Sequence, residues 1–316
     1  MREPARRRLL DEVAAAFVTD GRARGLSPKT ISSYREAVAS FRASLPPEPS
    51  QQTLANLTLD AGRAWAVGLA VGRRPATVAN RVRALKVLSG WCVDEGYLAA
   101  DPLARLRRPC IPRTAIIPFS EDQVRALLEA VPPPLAITLQ ILLDTGLRIS
   151  EAVGLTADDV LEGFLRVRGK GGHERVVPTG RTLEAAVRRY RDRGRPGPRA
   201  TGHDPLLLSR SGRPQTARSV YSGMRRAAAT AGVQGVRVSP HTCRHTFAIT
   251  FLRNGGNLLA LQRILGHQDL AMVRRYAELV ASDLATAQAT ASPLDGWARS
   301  ENRRDPDAGP SRRVRR

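Results

Sequence analysis

A mainly α-helical protein with one small antiparallel β-sheet is predicted by three observations. Apolar residues recur at three- and four-residue intervals through most of the chain. Alternation of period two is confined to residues 164–168 and 174–177, which flank the glycine-rich turn Gly169-Lys170-Gly171-Gly172-His173 and so read as one hairpin with Lys170 at its tip. The helical stretches are broken at Ser-Pro, Pro-Pro, Asp-Pro and glycine steps, where proline and glycine end regular structure for steric reasons.

Taken in order, Leu9, Val13, Ala16 and Phe17 share a helical face that ends in the run at 21–26. Ser27 is placed to cap a second helix and Pro28 to occupy its first turn; Ile31, Tyr34, Val38 and Phe41 form its stripe up to Pro46-Pro47. Asp60 is expected to cap a third helix through Trp65 and Leu69. A fourth begins near Pro75, with Val78, Val82, Leu85, Ser89 and Cys92 on one face and Asn80, Arg83 and Val87 on the other. These four define a helical domain over 1–104. Residues 105–118, rich in proline and arginine and poor in periodicity, read as a linker.

Ser120 and Gln123 then form a capping box for a helix carrying Val124, Leu127 and Leu128. Residues 135–143 are a continuous apolar helix, expected to be buried, which Gly146 breaks before Arg148 opens the next. Helices are expected over 182–193 and 217–231, and the second domain over 119–292. Residues 293–316 form a basic tail expected to be disordered.

The formal net charge is +21, and only three of the fifty basic residues, Lys29, Lys86 and Lys170, are lysines. Such a charge, spread along both halves, calls for an anionic partner, nucleic acid first; a general preference for arginine over lysine on solvated faces is the plain alternative. Lys29, Asn80 and Arg83 are candidates for contacts to DNA, or else ordinary solvated helix positions. Three scattered cysteines argue for a reducing compartment and against a disulfide framework. With no signal peptide and no spanning segment legible, a cytoplasmic protein with no membrane partner is expected.

Chemistry concentrates between Ser239 and Tyr276. His241 and Arg244, three apart, share a helix face, and Gly266 precedes His267 as a helix C-cap would. An anion-binding arginine, two proton-handling imidazoles and a phenol suggest phosphoryl transfer. Singly, each has a structural reading: Arg148 can bridge a surface carboxylate, Lys170 can be solvated, His241 can satisfy a core hydrogen bond, and Tyr276 can simply pack. His241-x-Cys243-x-His245 with His267 also offers four metal ligands, but Arg244 would set a fixed charge beside the ion, and no metal or other cofactor is expected. His245 and Cys243 are read as core residues.

The ordered set Thr145-Gly146-Leu147-Arg148 with Glu151, Gly169-Lys170-Gly171 with Arg175 and Pro178, His241-x-x-Arg244-His245, Leu265-Gly266-His267 and Arg275-Tyr276 resembles the signature of the tyrosine recombinase, or phage integrase, family. The resemblance spans nearly the whole chain. It implies an N-terminal SAM-like core-binding domain followed by a recombinase catalytic domain. It further implies that Tyr276 attacks a DNA phosphodiester to give a 3′-phosphotyrosine and a free 5′-hydroxyl. Arg148, Arg244 and His267 would hold the phosphate oxygens, His241 would act as general base, Lys170 would protonate the leaving oxygen, and Glu151 would orient the arginines.

By the same resemblance the protein acts on double-stranded DNA as a homotetramer on two sites, with a segment after Tyr276 docking on a neighbouring subunit. An arm-site-binding module is not expected, which points to the Xer or mobile-element kind of recombinase. Two readings stay open beside it: a type IB topoisomerase of similar chemistry, and a DNA-binding protein without catalysis. Target sequence, accessory partners and biological role have no signature in the residues.

Overall fold

The computed structural model describes residues 7–111, 115–169, 172–196, 204–266, 276, 288 and 292–295. The chain divides into two compact units, Met1–Thr114 and Ala115–Arg316.

The first unit is helical among its described residues. Helix α1 (Leu10–Ala23) and α2 (Pro28–Arg42) are followed by two short 3₁₀ turns, α3 (Leu59–Ala70) and the long α4 (Pro75–Asp94). Helix α4 buries Val78, Val82, Leu85, Leu88 and Cys92 against Leu10, Phe17, Val38, Phe41 and Trp65. As the pattern requires, Asn80 and Arg83 lie exposed on the opposite side, and Lys29 is exposed in the first turn of α2. Ser27 caps α2, its Oγ accepting the Thr30 N–H at 3.2 Å. Ser27→Ala should therefore destabilise this unit by about 1 kcal/mol, read by urea unfolding followed by tryptophan fluorescence.

Two local expectations are corrected. Helix α2 stops at Arg42, short of Pro46, because Ser44, Leu45 and Pro46 already turn the chain toward Gln52, whose side chain donates to the Pro46 carbonyl at 2.8 Å. The cap of α3 is Thr58, not Asp60. Thr58 Oγ1 accepts the Ala61 N–H at 3.2 Å, and Asp60 sits inside the first turn, where a carboxylate favours the helix dipole instead.

The second unit is built on α6 (Pro133–Thr145), buried on most sides and packed by α5 (Glu121–Ala130), α8 (Arg181–Arg189), α9 (Ala217–Thr230) and α10 (Pro240–Arg253). Ser120 and Gln123 form the expected capping box at the start of α5. The sheet has three strands, β1 (Val160–Leu161), β2 (Phe164–Arg168) and β3 (Glu174–Pro178), in antiparallel order β1-β2-β3. Strand β1 has no counterpart in the sequence reading because two residues are too few to show alternation. Leu165 and Val177 pair across the hairpin and Val167 faces Arg175, so the apolar side meets the core. Helix α8 is shorter than expected, continuing as a π-helical turn over Tyr190–Gly194 that directs the Tyr190 hydroxyl to the Leu208 N–H at 3.1 Å.

The short α7 (Ile149–Val153) and α11 (Leu258–Leu265) complete the described helices. A smaller apolar cluster of Ala248, Ile249, Leu261 and Leu265 joins α10 to α11 and encloses the ring of Tyr276. No described helix is long and apolar enough to cross a membrane.

Candidate active site

The site is assembled where α6, α7, α10, α11 and β3 end or begin. Helix α6 terminates at Gly146, whose φ of 61° lies in the left-handed region. A Cβ there would come within 2.4 Å of the Phe247 ring and 2.7 Å of Leu265, so position 146 combines backbone strain with a clash. Gly146→Ala should lower unfolding stability by about 2 kcal/mol or more, measured as a fall in Tm relative to wild type.

Immediately after this turn, Arg148 is the N-cap of α7 and Glu151 its third residue. Glu151 accepts the Arg148 backbone N–H at 2.9 Å with one oxygen and Arg148 Nη1 at 2.9 Å with the other, which fixes the guanidinium at the mouth of the site. The carboxylate is buried and is also gripped by Arg175, whose Nη1 and Nη2 donate to its two oxygens at 3.1 and 2.9 Å. Burial alone would raise the Glu151 pKa. The Arg175 fork, then the Arg148 backbone and side chain, outweigh it and hold the carboxyl below its ordinary value.

Arg175 has no role legible in the residues beyond its place in a motif. Besides Glu151 it donates from Nε to the Ile264 carbonyl at 3.0 Å, joining β3 to the end of α11. It also lies over Gly266, where a Cβ would meet its guanidinium carbon at 2.9 Å. Gly266 is left-handed, with φ of 62°, and caps α11 as expected. The available signal was an arginine on the Val177 side of an alternating strand, the face that meets the core.

Arg244 is almost wholly buried. Its Nη1 donates to the Gly146 carbonyl at 2.6 Å and its Nη2 to the Leu265 carbonyl at 2.8 Å, so one guanidinium joins the C-terminal ends of α6 and α11. Burial, followed by the neighbouring charge of Arg148, pulls its pKa down to about 10, still fully cationic near neutrality. The Tyr276 phenol is near enough to act on the same guanidinium. Two guanidiniums near a phenol, Arg148 oriented by Glu151 and Arg244 by two backbone carbonyls, are a combination suited to binding a phosphate.

Ser239 caps α10 and sets His241 in its first turn. His241 is exposed overall, but partial withdrawal of its ring from water, then the charges of Arg244, Arg237 and Arg148, keep its pKa below the usual value, so the ring is neutral near pH 7. One turn on, the His245 ring meets the His241 ring edge-on at 4.2 Å between centroids. His245 Nδ1 lies 2.7 Å from the Tyr276 hydroxyl. The intervening Cys243 points the other way, into the main core, where burial pushes its thiol up to about 12. The His-x-Cys-x-His spacing therefore does not gather its three side chains around one point.

Arg148, Glu151, His241, Arg244 and Tyr276 thus belong to one locality of the second unit. Lys170 and His267 lie outside the described residues, as do most of the segment after Tyr276 and of the tail. Lys29, Asn80 and Arg83 belong to the other unit.

Comparison with known proteins accords with this geometry. Residues 118–282 match the model described as "Phage integrase family", and residues 21–96 match "Phage integrase, N-terminal SAM-like domain". The chain belongs to the phage integrase family. It is accordingly an enzyme of the tyrosine recombinase class, which cuts and rejoins DNA in site-specific recombination.

Among the relatives of this integrase-family chain is the tyrosine recombinase XerC of Mycobacterium sp. (strain JLS), 34% identical over 287 residues that cover 85% of this chain and 94% of that protein. A tyrosine recombinase XerD of Corynebacterium glutamicum is 31% identical over the same coverage. In fold, the chain is similar to a lambda integrase dimer bound to a COC′ core site, with a TM-score of 0.71 at 19% identity over 84% of this chain and 97% of that one. It is also similar to the Tn1549 transposon integrase in complex with transposon right end DNA, with a TM-score of 0.69 at 21% identity over 89% and 98%.

Proposed function

We propose that Tyr276 is the nucleophile of the recombinase and forms a 3′-phosphotyrosine with a free 5′-hydroxyl. The observation that carries this is the placing of the Tyr276 phenol beside Arg244 and His245, with His241 against His245 and Arg148 near enough to act on Arg244. The two guanidiniums bind the non-bridging oxygens and stabilise the phosphorane as charge develops on it. Glu151 orients Arg148, and the neutral His241 joins the acid–base set around the same phosphate. Lys170 protonates the leaving 5′-oxygen and His267 donates a further hydrogen bond. No cofactor takes part, because the phosphotyrosine conserves the phosphodiester bond energy for rejoining.

The partner is double-stranded DNA, clasped by a helical domain over 1–104, a linker over 105–118 and a catalytic domain over 119–292, with 293–316 a basic tail. A cavity of about 1010 Å³ lined by Arg63, Lys86, Arg105, Arg107 and Arg108 supports a phosphate-binding role for the first domain and the linker. Lys86 donates to the carbonyls of Ala104 and Leu106 at 2.8 and 2.9 Å, which holds the arginine-bearing segment against α4. Lys29, Asn80 and Arg83, exposed on the same domain, add further contacts to DNA. The working assembly is a homotetramer on two recombination sites in the cytoplasm; a lambda integrase tetramer bound to a Holliday junction, a fold relative at a TM-score of 0.69, is consistent with it.

A pool of nicked duplexes with randomised sequence tests the proposal. Denaturant-resistant protein–DNA adducts are captured, and the modified peptide is identified by mass spectrometry. Attachment at Tyr276 and recovery of paired inverted half-sites are expected; attachment at another residue defeats the assignment.

A further inference from the structure

We infer that Arg175 is a positioning residue for strand cleavage, closing a ring of hydrogen bonds that sets the separation between the Arg148 and Arg244 guanidiniums. This rests on the assignment of those two arginines to the phosphate oxygens, and it gives strand β3 a part in the reaction that its motif does not disclose.

The ring runs from one phosphate-binding arginine to the other. Arg148 Nη1 donates to the Glu151 carboxylate at 2.9 Å. The same carboxylate receives Nη1 and Nη2 of Arg175 at 3.1 and 2.9 Å, while Arg175 Nε donates to the Ile264 carbonyl at 3.0 Å. The next carbonyl of α11, that of Leu265, receives Arg244 Nη2 at 2.8 Å. Arg244 Nη1 then reaches the Gly146 carbonyl at 2.6 Å, and Gly146 stands two residues before Arg148 in the chain. Arg148 and Arg244 are thus tied by two routes, one along the backbone from Gly146 and one through Glu151, Arg175 and the end of α11. Arg175 is the member that spans the carboxylate and the helix end.

Its guanidinium is built for that task and turned away from a ligand's. All three of its nitrogens are engaged in these bonds, and its side chain is 17% exposed against 43% for Arg148. The backbone at Gly266 packs directly against it, since a Cβ there would come within 2.9 Å of Arg175 Cζ. Arg148 and Arg175 both lie near enough to Arg244 for their charges to oppose its own. Like charges at such range repel, so their spacing has to be imposed by fixed acceptors. A planar fork bonded on two sides imposes it. Lysine keeps the charge but brings a single nitrogen on a flexible stem, which cannot hold both Glu151 oxygens and the Ile264 carbonyl in one plane.

The test compares wild type, Arg175→Lys and Arg175→Gln in single-turnover cleavage of a nicked duplex recovered from the covalent capture. Each cuts the natural scissile phosphate and, separately, a methylphosphonate at the same position, at a temperature where it is folded by its own thermal melt; duplex affinity is measured alongside. On the natural phosphate Arg175→Lys is expected to be slower by about 10²-fold, with affinity within about threefold of wild type, as misplacing a binding group by about an ångström does. A methylphosphonate carries no negative charge for two guanidiniums to hold, so the deficit there should shrink to about threefold or less. Arg175→Gln, which lacks the reach to Ile264, should repeat the pattern. A fold that is merely loosened loses the same factor on both substrates.

Wild-type cleavage of the natural phosphate by both variants overturns the inference, and so does an equal loss on the two substrates. If one variant does not fold, the other decides by the same ratio; if neither folds, Arg175 serves the fold alone and the inference falls. Should wild type cut the methylphosphonate as fast as the phosphate, the assignment of Arg148 and Arg244 to the phosphate falls first, and the inference with it.

Discussion

Tyr276→Phe forms no covalent adduct with nicked DNA, a loss of at least about 10⁴-fold, while its affinity for the duplex stays within a factor of two or so of wild type. The size follows from the proposed role: a nucleophilic Tyr276 would lose the atom that bonds to phosphorus, while its ring stays in the apolar enclosure of Ala248, Ile249, Leu261 and Leu265. The structural loss includes the hydrogen bond to His245, about 1 kcal/mol. A gel that resolves free from protein-linked strands, run beside a binding titration, separates these effects. Adduct formation by the variant at anything near the wild-type rate rules Tyr276 out as nucleophile.

Glu151→Ala should be the most damaging change to the fold of the site, lowering unfolding stability by about 3 kcal/mol and abolishing cleavage. Removing this buried carboxylate strands the Arg175 guanidinium and the Arg148 backbone N–H, and it frees the half-exposed Arg148 side chain to which phosphate binding is assigned. Thermal unfolding of the full chain reads the first effect and adduct formation the second; a shift in Tm of less than a degree or two contradicts this account. The pKa direction adds a pH signature. Because the folded-state pKa of Glu151 is lowered, its contribution is fully present above the unfolded carboxylate value of about 4.3 and is lost as pH falls through the lower folded value. Glu151→Gln should show a flatter dependence of Tm on pH below 5 than wild type.

Much of the architecture was legible because it depends on local signals. Ser27-Pro28, Ser120 with Gln123, Gly146 and Gly266 are caps whose chemistry acts within four residues, and each stands where its pattern puts it. The misread ends show the limit of the same logic. Thr58 and Asp60 are both competent caps two residues apart, and the choice falls to the chain entering from Leu57, which is buried in the core.

At the site, Arg148, Glu151, His241 and Arg244 could be singled out because a spaced motif contains them. What those residues touch could not be read, since Arg175 reaches Glu151 across 24 positions and Tyr276 reaches His245 across 31. A sequence shows that an arginine stands on the buried side of β3; only the folded chain shows which carboxylate it serves.

The guanidinium of Arg244, fastened to the carbonyls of Gly146 and Leu265, has a practical bearing on how a cleavage-dead enzyme is made. Lysine carries the same charge, but a single ammonium on a flexible stem does not reproduce a planar fork that spans two helix ends. A variant at 244 would therefore alter the scaffold together with the chemistry, and an inactive complex trapped that way would report a rearranged cleft. Tyr276→Phe is the cleaner choice for holding uncut DNA, because position 276 would lose its proposed reacting atom without disturbing the junction of α6 and α11.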